Sequence, residues 1–467
     1  MTSFRASCSL ALLLIGLTAC APLPRAAPAT EQRATKPVAI ENARGPVSPA
    51  RSKQIVENLK SEPGADPILD KHLAIETALT GSPLVADNHV TLLQDGDATY
   101  KSMLEAISAA KRHINLETYI VEDDEIGRRF GDALIAKRQQ GLQVNLLYDS
   151  MGARETPAAF FDRLKAAGIR VVQYNPINPF RAKAGWDVNE RDHRKLLVVD
   201  GEIAFLGGLN ISSVYSGSSP KRRSEPPRTD EKTGEPVRAW RDTHVRIEGP
   251  VASELQKIFL DTWTRQNGPA LSTADYLPAK RQARGKQVVR AIASSPDESY
   301  STIYAALMSS IEHAEKDILI TMAYFVPDPQ LIGALSQAAR RGVDVKLILP
   351  RHSDAKLVLS AGRAQYGQLL ESGVKLYERR TVLLHAKTAV IDGVWSTVGS
   401  ANLDWRSFVH NQELNAVVLG ADFGRQMQEA FERDLAQSDR ITLEAWNKRP
   451  VGERFSEWLG QLLQYWL

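Results

Sequence analysis

Two segments of the chain carry the same residue types at the same spacings, and this duplication constrains the fold more than any other feature. One segment begins at His193 and the other at His385. Counted from each histidine, a lysine follows at +2, an aspartate at +7, glycines at +8 and +14, and an asparagine at +17. So many matching offsets are not expected by chance, and they predict a body built from two copies of one unit. The matched polar positions are Lys195, Asp200 and Asn210 in the first copy and Lys387, Asp392 and Asn402 in the second.

Each copy also alternates short apolar runs with helical patterns. Such an alternation is typical of α/β units. The sequence therefore predicts an α/β fold with the same plan in both halves of the chain. The matched segments are a strand at 114–121 and 318–326, a helix at 125–138 and 329–341, a strand at 144–148 and 345–349, a helix at 157–167 and 355–372, and a strand at 171–174 and 374–377.

The duplication sets the expected domain boundaries. We predict a first repeat over residues 61–270 and a second over 285–440, with the boundary in the polar stretch 266–286. The first repeat also carries a polar insertion at 213–239, which is rich in Ser, Pro, Lys and Arg and has no counterpart in the second repeat.

The repeated His-x-Lys opens an extended apolar segment in each copy. Side chains at i and i+2 of a strand share a face, so each histidine points the same way as its lysine. Together the copies suit attack on a phosphodiester: one imidazole attacks phosphorus and forms a covalent phosphohistidine. The other donates a proton to the leaving alkoxide and later deprotonates the incoming alcohol or water. The lysines, with Asn210 and Asn402, offset charge on the phosphate oxygens. The sequence leaves open which of His193 and His385 is the nucleophile.

Two pairs of acidic residues accompany these motifs. Asp200 and Asp392 have the opposite parity to the histidines and precede a glycine at a turn, which favours a structural role. Asp242 and Glu413 recur ahead of a strand-like run in the two copies, and each could hold a histidine ring in the right tautomer. No metal and no cofactor is predicted, because the lysines supply positive charge at the phosphate and both cysteines lie within the first 20 residues.

The chain resembles the phospholipase D superfamily, which is defined by paired HxKxxxxD motifs, and within it the bacterial cardiolipin synthases. The resemblance covers residues 66–440. It implies two phospholipase D-like repeats that form a pseudo-two-fold α/β sandwich with one active site at their interface. Short sequence segments that support the resemblance lie at 115–121, 207–210, 240–244 and 399–404. The residues that it groups as catalytic are His193, Lys195, Asp200, His385, Lys387 and Asp392.

The resemblance implies a phosphatidyltransferase that moves a phosphatidyl group from one phosphatidylglycerol to the hydroxyl of another and releases glycerol. Two other activities stay open: a phospholipase D that hydrolyses phospholipids to phosphatidic acid, and a phosphodiesterase or nuclease of the same superfamily. A net charge of +3 gives little support to a nucleic-acid partner, which usually meets a strongly basic face. A non-enzymatic scaffold is disfavoured because both histidines and both lysines are present. The sequence indicates no oligomeric state.

The N-terminus is typical of an export signal. A short apolar run at 10–17 follows Arg5 and ends in the tetrad 17–20, which resembles the lipobox of bacterial lipoproteins. We therefore predict a lipoprotein signal peptide over residues 1–19 and lipidation of Cys20. The alternative is an ordinary secretory signal with a chance cysteine.

The residues after the cysteine set the expected location. Residues 20–60 are predicted to be a flexible tether, since the segment is rich in Ala, Pro, Thr and charge. The residue directly after the cysteine is Ala21. An aspartate at this position would favour the inner membrane, so the alanine favours the outer membrane. We expect a lipid-anchored protein of the bacterial cell envelope that faces the periplasm.

The C-terminal residues 441–467 carry apolar side chains on one helical stripe. The stripe predicts an amphipathic helix that either docks on the body or inserts into a membrane interface, where tryptophan is favoured. A membrane surface is therefore an expected partner, beside the phospholipid substrate. The stripe consists of Phe455, Trp458, Leu459, Leu462, Leu463, Trp466 and Leu467.

Overall fold

The computed structural model of the protein describes residues 38–60, 68–178, 187–216 and 238–464. The predicted signal peptide and Cys20 lie outside the described residues. So do most of the predicted polar insertion and the last three residues of the chain.

The described chain alternates strands and helices from end to end. It begins with β1 (Ile40–Asn42), β2 (Gly45–Pro46), α1 (Pro49–Leu59), a π-helical turn (Ile68–His72) and α2 (Leu73–Thr80). The first half continues with β3 (Leu84–Gln94), α3 (Asp95–Ala109), β4 (His113–Thr118), α4 (Glu125–Gln139), β5 (Gln143–Asp149), α5 (Ala158–Ala166), β6 (Arg170–Tyr174), β7 (Arg191–Asp192), β8 (Leu196–Val199), β9 (Ile203–Gly207), a 3-10 turn (Ser213–Tyr215), β10 (Arg238–Arg241), β11 (Thr243–Glu248), α6 (Val251–Arg265) and α7 (Thr273–Tyr276).

The second half repeats this alternation. Its elements are β12 (Gln287–Ser294), α8 (Thr302–Glu312), β13 (Asp317–Met322), α9 (Pro329–Arg340), β14 (Asp344–His352), α10 (Lys356–Arg363), α11 (Tyr366–Glu371), β15 (Lys375–Leu384), β16 (Lys387–Ile391), β17 (Trp395–Gly399), α12 (Trp405–Val409), β18 (Asn411–Leu419), α13 (Ala421–Leu435), β19 (Ser438–Ile441), α14 (Leu443–Asn447) and α15 (Val451–Leu463). The helix predicted at 355–372 is thus two helices, α10 and α11.

Both halves pair their strands in the same order. The order is β6-β5-β4-β8-β9-β11-β3 in the first half and β15-β14-β13-β16-β17-β18-β12 in the second. The first three strands of each order run parallel, because helices connect them as crossovers, and the others run antiparallel. β3 and β12 pair with each other and join the two sheets. The predicted α/β fold of two pseudo-symmetric repeats is confirmed.

The alternation of side chains along the strands builds the core. In β8, Leu196 and Val198 face an apolar cluster that contains residues of both sheets, while Leu197 and Val199 face a cluster formed with the helices of the first half. β16 alternates in the same way between the shared cluster and the helices of the second half. Because the sheet is buried on both faces here, β8 and β9 are apolar almost without interruption. The shared cluster brings the strand ends that carry the two motifs to one interface.

Part of the predicted tether is folded. Ile40 in β1 is 1% exposed, and β1 pairs with β3. Helix α1 is capped by Ser48, whose hydroxyl accepts the backbone N–H of Arg51, and it buries Val56 against the second half. The prediction of a tether over 20–60 is therefore wrong for residues 38–60, because these apolar side chains find a hydrophobic surface to cover.

The predicted start of the first repeat at residue 61 also differs from the packing. Ile68, Leu69 and Leu73 lie in the apolar cluster of the second half, beside helix α8. The buried Glu76 of α2 lies 3.8 Å from the guanidinium of Arg290 on β12. Residues 68–80 therefore belong with the second half, since their apolar side chains fill a gap beside α8.

The C-terminal segment is not one helix. Pro450 separates α14 from α15, because proline cannot donate the backbone hydrogen bond that a continuous helix needs. The predicted apolar residues Phe455, Trp458 and Leu459 lie on α15. Among the described residues, every helix is too short or too polar to cross a lipid bilayer.

Candidate active site

Each histidine lies where a strand end of one repeat meets the other repeat. β7 pairs with β18, and the backbone N–H of His193 donates to the carbonyl of Gln412 at 3.0 Å. In the same way β10 pairs with β15, and the N–H of His385 donates to the carbonyl of Arg241 at 2.7 Å. The backbone of each motif is therefore held by the opposite repeat.

The histidines and their carboxylates are paired crosswise. Nδ1 of His193 lies 3.0 and 3.2 Å from the two carboxylate oxygens of Glu413, and Nδ1 of His385 lies 2.7 Å from Asp242 Oδ2. Both carboxyl groups are fully buried. An ionised carboxylate only accepts, so each Nδ1 carries the proton and each Nε2 is the nitrogen left for chemistry. Because each acid comes from the other repeat, neither repeat alone has a complete site.

Burial keeps both imidazoles neutral near pH 7. It lowers the pKa of His193 to about 4, an effect that Glu413 opposes and Lys195 reinforces. Burial also holds the pKa of His385 well below its usual value, with further repulsion from Lys387 and Lys195. A neutral imidazole has a free lone pair, which is the form required for attack on phosphorus.

The two lysines are buried cations beside the histidines. Burial lowers the pKa of Lys195 to about 7, against the attraction of Glu413. It lowers the pKa of Lys387 to about 8, against the attraction of Asp242. Each ammonium donates to the backbone carbonyl of the histidine two residues before it. The lysines are thus placed to meet an anionic group between the histidines.

The two carboxyl groups differ in their tendency to ionise. Burial acts to raise the pKa of Glu413, but the interaction with His193 and the hydrogen bond from the Ser400 hydroxyl help to lower it. For Asp242 burial dominates and raises the pKa to about 6, although Lys387 opposes it. The two halves of the site therefore differ in how they respond to acid.

Asp200 and Asp392 lie at turns and hold backbone. Both have positive φ, of 56° and 52°, and a glycine follows each. Each carboxylate accepts backbone N–H groups at 2.8 to 3.2 Å where the preceding helix leads into β4 or β13. The grouping of these aspartates with the catalytic residues is therefore corrected: they fix the turn after the motif strand. The N–H donors belong to Lys111, Arg112 and His113 in the first half and to Glu315, Lys316 and Asp317 in the second.

The two asparagines predicted to bind phosphate differ. Asn210 accepts from the backbone N–H of Ile120 at 3.0 Å and donates to the Tyr215 hydroxyl at 2.9 Å. The amide group has a second N–H that this contact does not use, so the phosphate-binding role of Asn210 stays a prediction. The buried Oδ1 of Asn402 has no hydrogen-bond partner within the described part of the chain. Asn402 lines the same cavity as Lys387, but an amide oxygen only accepts, so the phosphate-binding role of its N–H groups stays a prediction.

Four aromatic residues around the histidines were not among the predicted site residues. The ring centre of Tyr119 lies 5.1 Å from that of His193, and Tyr324 lies 6.0 Å from His385. The same tyrosines lie 5.3 and 5.7 Å from the lysine ammonium of their own half, at cation–π distance. Their positions near the ends of matched apolar runs, 114–121 and 318–326, are the sequence signal that could have identified them.

The other two aromatic residues both lie beside His385 and have no counterpart beside His193 among the described ring contacts. Trp240 and Tyr215 lie 5.0 and 5.6 Å from the ring centre of His385 and contact each other at 5.3 Å. In the described residues, no cluster of three or more His, Cys, Asp or Glu side chains is arranged to hold a metal ion.

Comparisons with known proteins agree with this geometry. A two-repeat sandwich with one His-x-Lys from each repeat defines a phospholipase D-like protein. A family model described as "Cardiolipin synthase, PLD-like domain" matches residues 103–216 and 307–435. The chain is 34% identical to the cardiolipin synthase of Geobacillus kaustophilus over 410 residues, which are 87% of this chain and 77% of that protein. It is 35% identical to cardiolipin synthase 2 of Bacillus anthracis over 373 residues, 79% of this chain and 69% of the relative.

The chain therefore belongs to the cardiolipin synthase family of phospholipase D-like proteins. The predicted resemblance is confirmed. Among solved structures, the phosphatidylserine synthase of Haemophilus influenzae matches with a TM-score of 0.63 and 14% identity, over 85% of this chain and all of that one. At this identity the match supports the fold alone.

Proposed function

We propose that the protein is a phosphatidyltransferase of cardiolipin synthase type, which transfers a phosphatidyl group between phospholipids through a covalent phosphohistidine. The observation that carries the proposal is the crossed pairing of His193 with Glu413 and His385 with Asp242. It places two oriented, neutral imidazoles and two buried lysines at one interface. Membership of the family supports a phospholipid substrate, and phosphatidylglycerol is the proposed donor and acceptor.

In the first step the Nε2 of one imidazole attacks the phosphorus of phosphatidylglycerol. A P–N bond forms, the P–O bond to the glycerol head group breaks, and the other imidazole gives its proton to the departing glycerol oxygen. The anionic phosphate between Lys195 and Lys387 raises the pKa of that second imidazole, so that it is protonated when substrate is bound. The ammonium groups offset the charge that grows on the non-bridging oxygens.

In the second step the now neutral second imidazole accepts the proton of an incoming hydroxyl. The hydroxyl oxygen of a second phosphatidylglycerol attacks phosphorus, and the P–N bond breaks to regenerate the first histidine. Glu413 and Asp242 hold each ring through Nδ1, so that Nε2 faces the phosphorus throughout. The amide N–H groups of Asn210 and Asn402 donate to the phosphate oxygens. Either histidine can take either role in this scheme.

The acceptor decides the product, and product analysis tests the proposal. Purified protein on phosphatidylglycerol vesicles is expected to release glycerol and form cardiolipin. Formation of phosphatidic acid instead would make water the acceptor and the protein a phospholipase D. Cleavage of nucleic acid but not of lipid would overturn the proposal altogether.

We also propose that Cys20 is lipidated and holds the protein on a periplasm-facing membrane of the cell envelope, with the outer membrane favoured. The support is the apolar run followed by the lipobox-like tetrad 17–20. Fractionation and mass analysis of the mature N-terminus test this, with Cys20→Ser as the comparison. Recovery of soluble protein with Met1 intact would contradict the anchor while leaving the chemistry unaffected.

A further inference from the structure

Helix α15 exposes its apolar side. In the described residues six large hydrophobic side chains are exposed, and four of them lie on this one helix. A helix that docks on a protein normally buries its apolar stripe and exposes polar residues. The four are Val451, Phe455, Trp458 and Leu459, which are 79%, 63%, 54% and 41% exposed.

The opposite side of α15, with small and polar residues, faces the body. Gly460 is buried, and a Cβ on it would lie 2.5 Å from the backbone nitrogen of Ala361 on α10. Glu457 is also buried and accepts three hydrogen bonds at 2.7 to 3.1 Å from the guanidinium of Arg449. Turning the helix to bury its apolar stripe would break this ion pair and place a larger side chain where only glycine fits. The outward direction of the stripe is therefore fixed.

Helix α10 joins this surface to the active site. It begins two residues after Asp354, which accepts a hydrogen bond from the Tyr324 hydroxyl at 2.7 Å. The ring of Tyr324 in turn lies 5.7 Å from the ammonium of Lys387. Val358 of α10 packs on Trp405 in a small apolar cluster. The pair α10 and α15, called here the outer helix pair, therefore lies at the rim of the second half of the site.

We propose that the outer helix pair is the surface by which the protein docks on a phospholipid bilayer, with Phe455, Trp458 and Leu459 inserted among the head groups. This rests on the proposed function: a phospholipid substrate keeps its acyl chains in the bilayer, so the rim of the site must meet the membrane. Tryptophan with aliphatic neighbours suits that depth. Lys356 and Arg454 on the same two helices are exposed cations, which suit anionic head groups.

A second copy of the chain is the rival occupant, and the size of the surface argues against it. A helix of 13 residues is roughly 20 Å long, and one apolar stripe on it covers much less than the roughly 800 Å² per partner of a stable interface. A bilayer sets no such minimum area, since a few inserted side chains add to a lipid anchor or to electrostatic attraction.

The test uses the intact chain and vesicles of equal parts phosphatidylglycerol and phosphatidylcholine. The triple variant Phe455→Gln, Trp458→Gln, Leu459→Gln removes the stripe, and Gln461→Ala is the matched control on the same helix. We expect hydrogen exchange at 451–463 to slow by about fivefold or more on vesicles in the wild type and the control, but not in the triple variant. Exchange in the last turn of α13 is expected to stay unchanged in all three proteins.

Activity on two forms of the substrate separates docking from chemistry. The triple variant is expected to lose about tenfold or more of its rate on vesicles and to keep the wild-type rate on short-chain phosphatidylglycerol below its micelle concentration. Equal protection and equal vesicle rates in the wild type and the triple variant would overturn the proposal. If the wild type is a dimer and the triple variant is a monomer, while both bind vesicles equally, the surface belongs to a second copy of the chain instead. Protection on vesicles without activity on either substrate would count against the proposed function but support the docking surface.

Discussion

The two halves of the active site have the same backbone but different surroundings. Tyr119 is the aromatic neighbour of His193, whereas His385 is surrounded by Tyr215, Trp240 and Tyr324. The histidine of the first half faces a glutamate with both oxygens in range, and that of the second half faces one oxygen of an aspartate. Duplication therefore fixes where the reactive groups lie, while the surroundings have diverged.

This difference matters because the reaction itself is not symmetric. One imidazole must attack phosphorus and the other must carry a proton. The partner of His193 stays ionised, since the pKa of Glu413 is lowered, whereas the pKa of Asp242 is raised to about 6. Two halves whose carboxyl groups differ in acid strength are suited to two different roles.

The largest expected effect comes from removing either imidazole. His193→Ala and His385→Ala are each expected to lower the turnover of phosphatidylglycerol by about 10⁴-fold or more, because the nucleophile and the proton carrier act as a unit. Thermal unfolding serves as the control that the fold survives. Quenching in an alkaline denaturant, which preserves the P–N bond, and peptide mass analysis of the wild type then show which histidine carries the phosphatidyl group. A wild-type rate in either variant would contradict the two-histidine mechanism.

Neutralising the crossed carboxylates compares the halves directly. Glu413→Gln and Asp242→Asn are each expected to lower kcat by about 10² to 10⁴-fold, because the N–H of a neutral amide can donate to Nδ1 and favour the wrong tautomer. At pH 7 both carboxylates are in their ionised form, so both variants should show a loss. Rates are measured on the same vesicles at equal protein stability. If one variant were as active as the wild type, the corresponding histidine would not depend on its Nδ1 partner.

The pH dependence should reveal the difference between the halves. Activity is expected to fall as the pH drops through about 6, where Asp242 gains a proton and stops accepting from His385. It should also fall as the pH rises through about 7 to 8, where Lys195 and then Lys387 lose their protons. Lys195→Arg keeps a charge at all these values and should move the upper limit from about 7 towards about 8. If the upper pH limit were unchanged in Lys195→Arg, the loss of activity would be due to the titration of a group other than Lys195.

Much of this site could be predicted from the sequence, because equal offsets within two repeats are a local property. The offsets identified His193, Lys195, His385 and Lys387, and their parity identified the shared face. The crossing of Asp242 and Glu413 between repeats could not be predicted, since it depends on how the two sheets dock.

As with the site, the local elements of the fold could be predicted from the sequence, but the packing of distant segments could not. The strands and helices of both halves lie close to their predicted positions, because apolar periodicity is recorded in each segment. The placement of residues 38–60 and 68–80 was not predictable, since it depends on a hydrophobic surface that the second half offers only when folded. The outward stripe of α15 has a similar cause: Gly460 determines which side docks, and its neighbour Ala361 is about 100 residues away in the sequence.

The smallest expected effect is on stability, at the turns that follow the two motifs. Asp200→Asn and Asp392→Asn keep the shape and tolerate the positive φ, but each replaces a charged acceptor of several backbone N–H groups with a neutral one. Each is expected to lower the free energy of unfolding by about 1 to 3 kcal/mol and to leave kcat within about twofold. Denaturant unfolding and vesicle assays of the same preparations measure the two quantities. Because the contacts of the two aspartates are nearly the same, the losses should be equal, unlike the effects at the carboxylates that face the histidines. A large fall in kcat at wild-type stability would show that an aspartate acts in the chemistry after all.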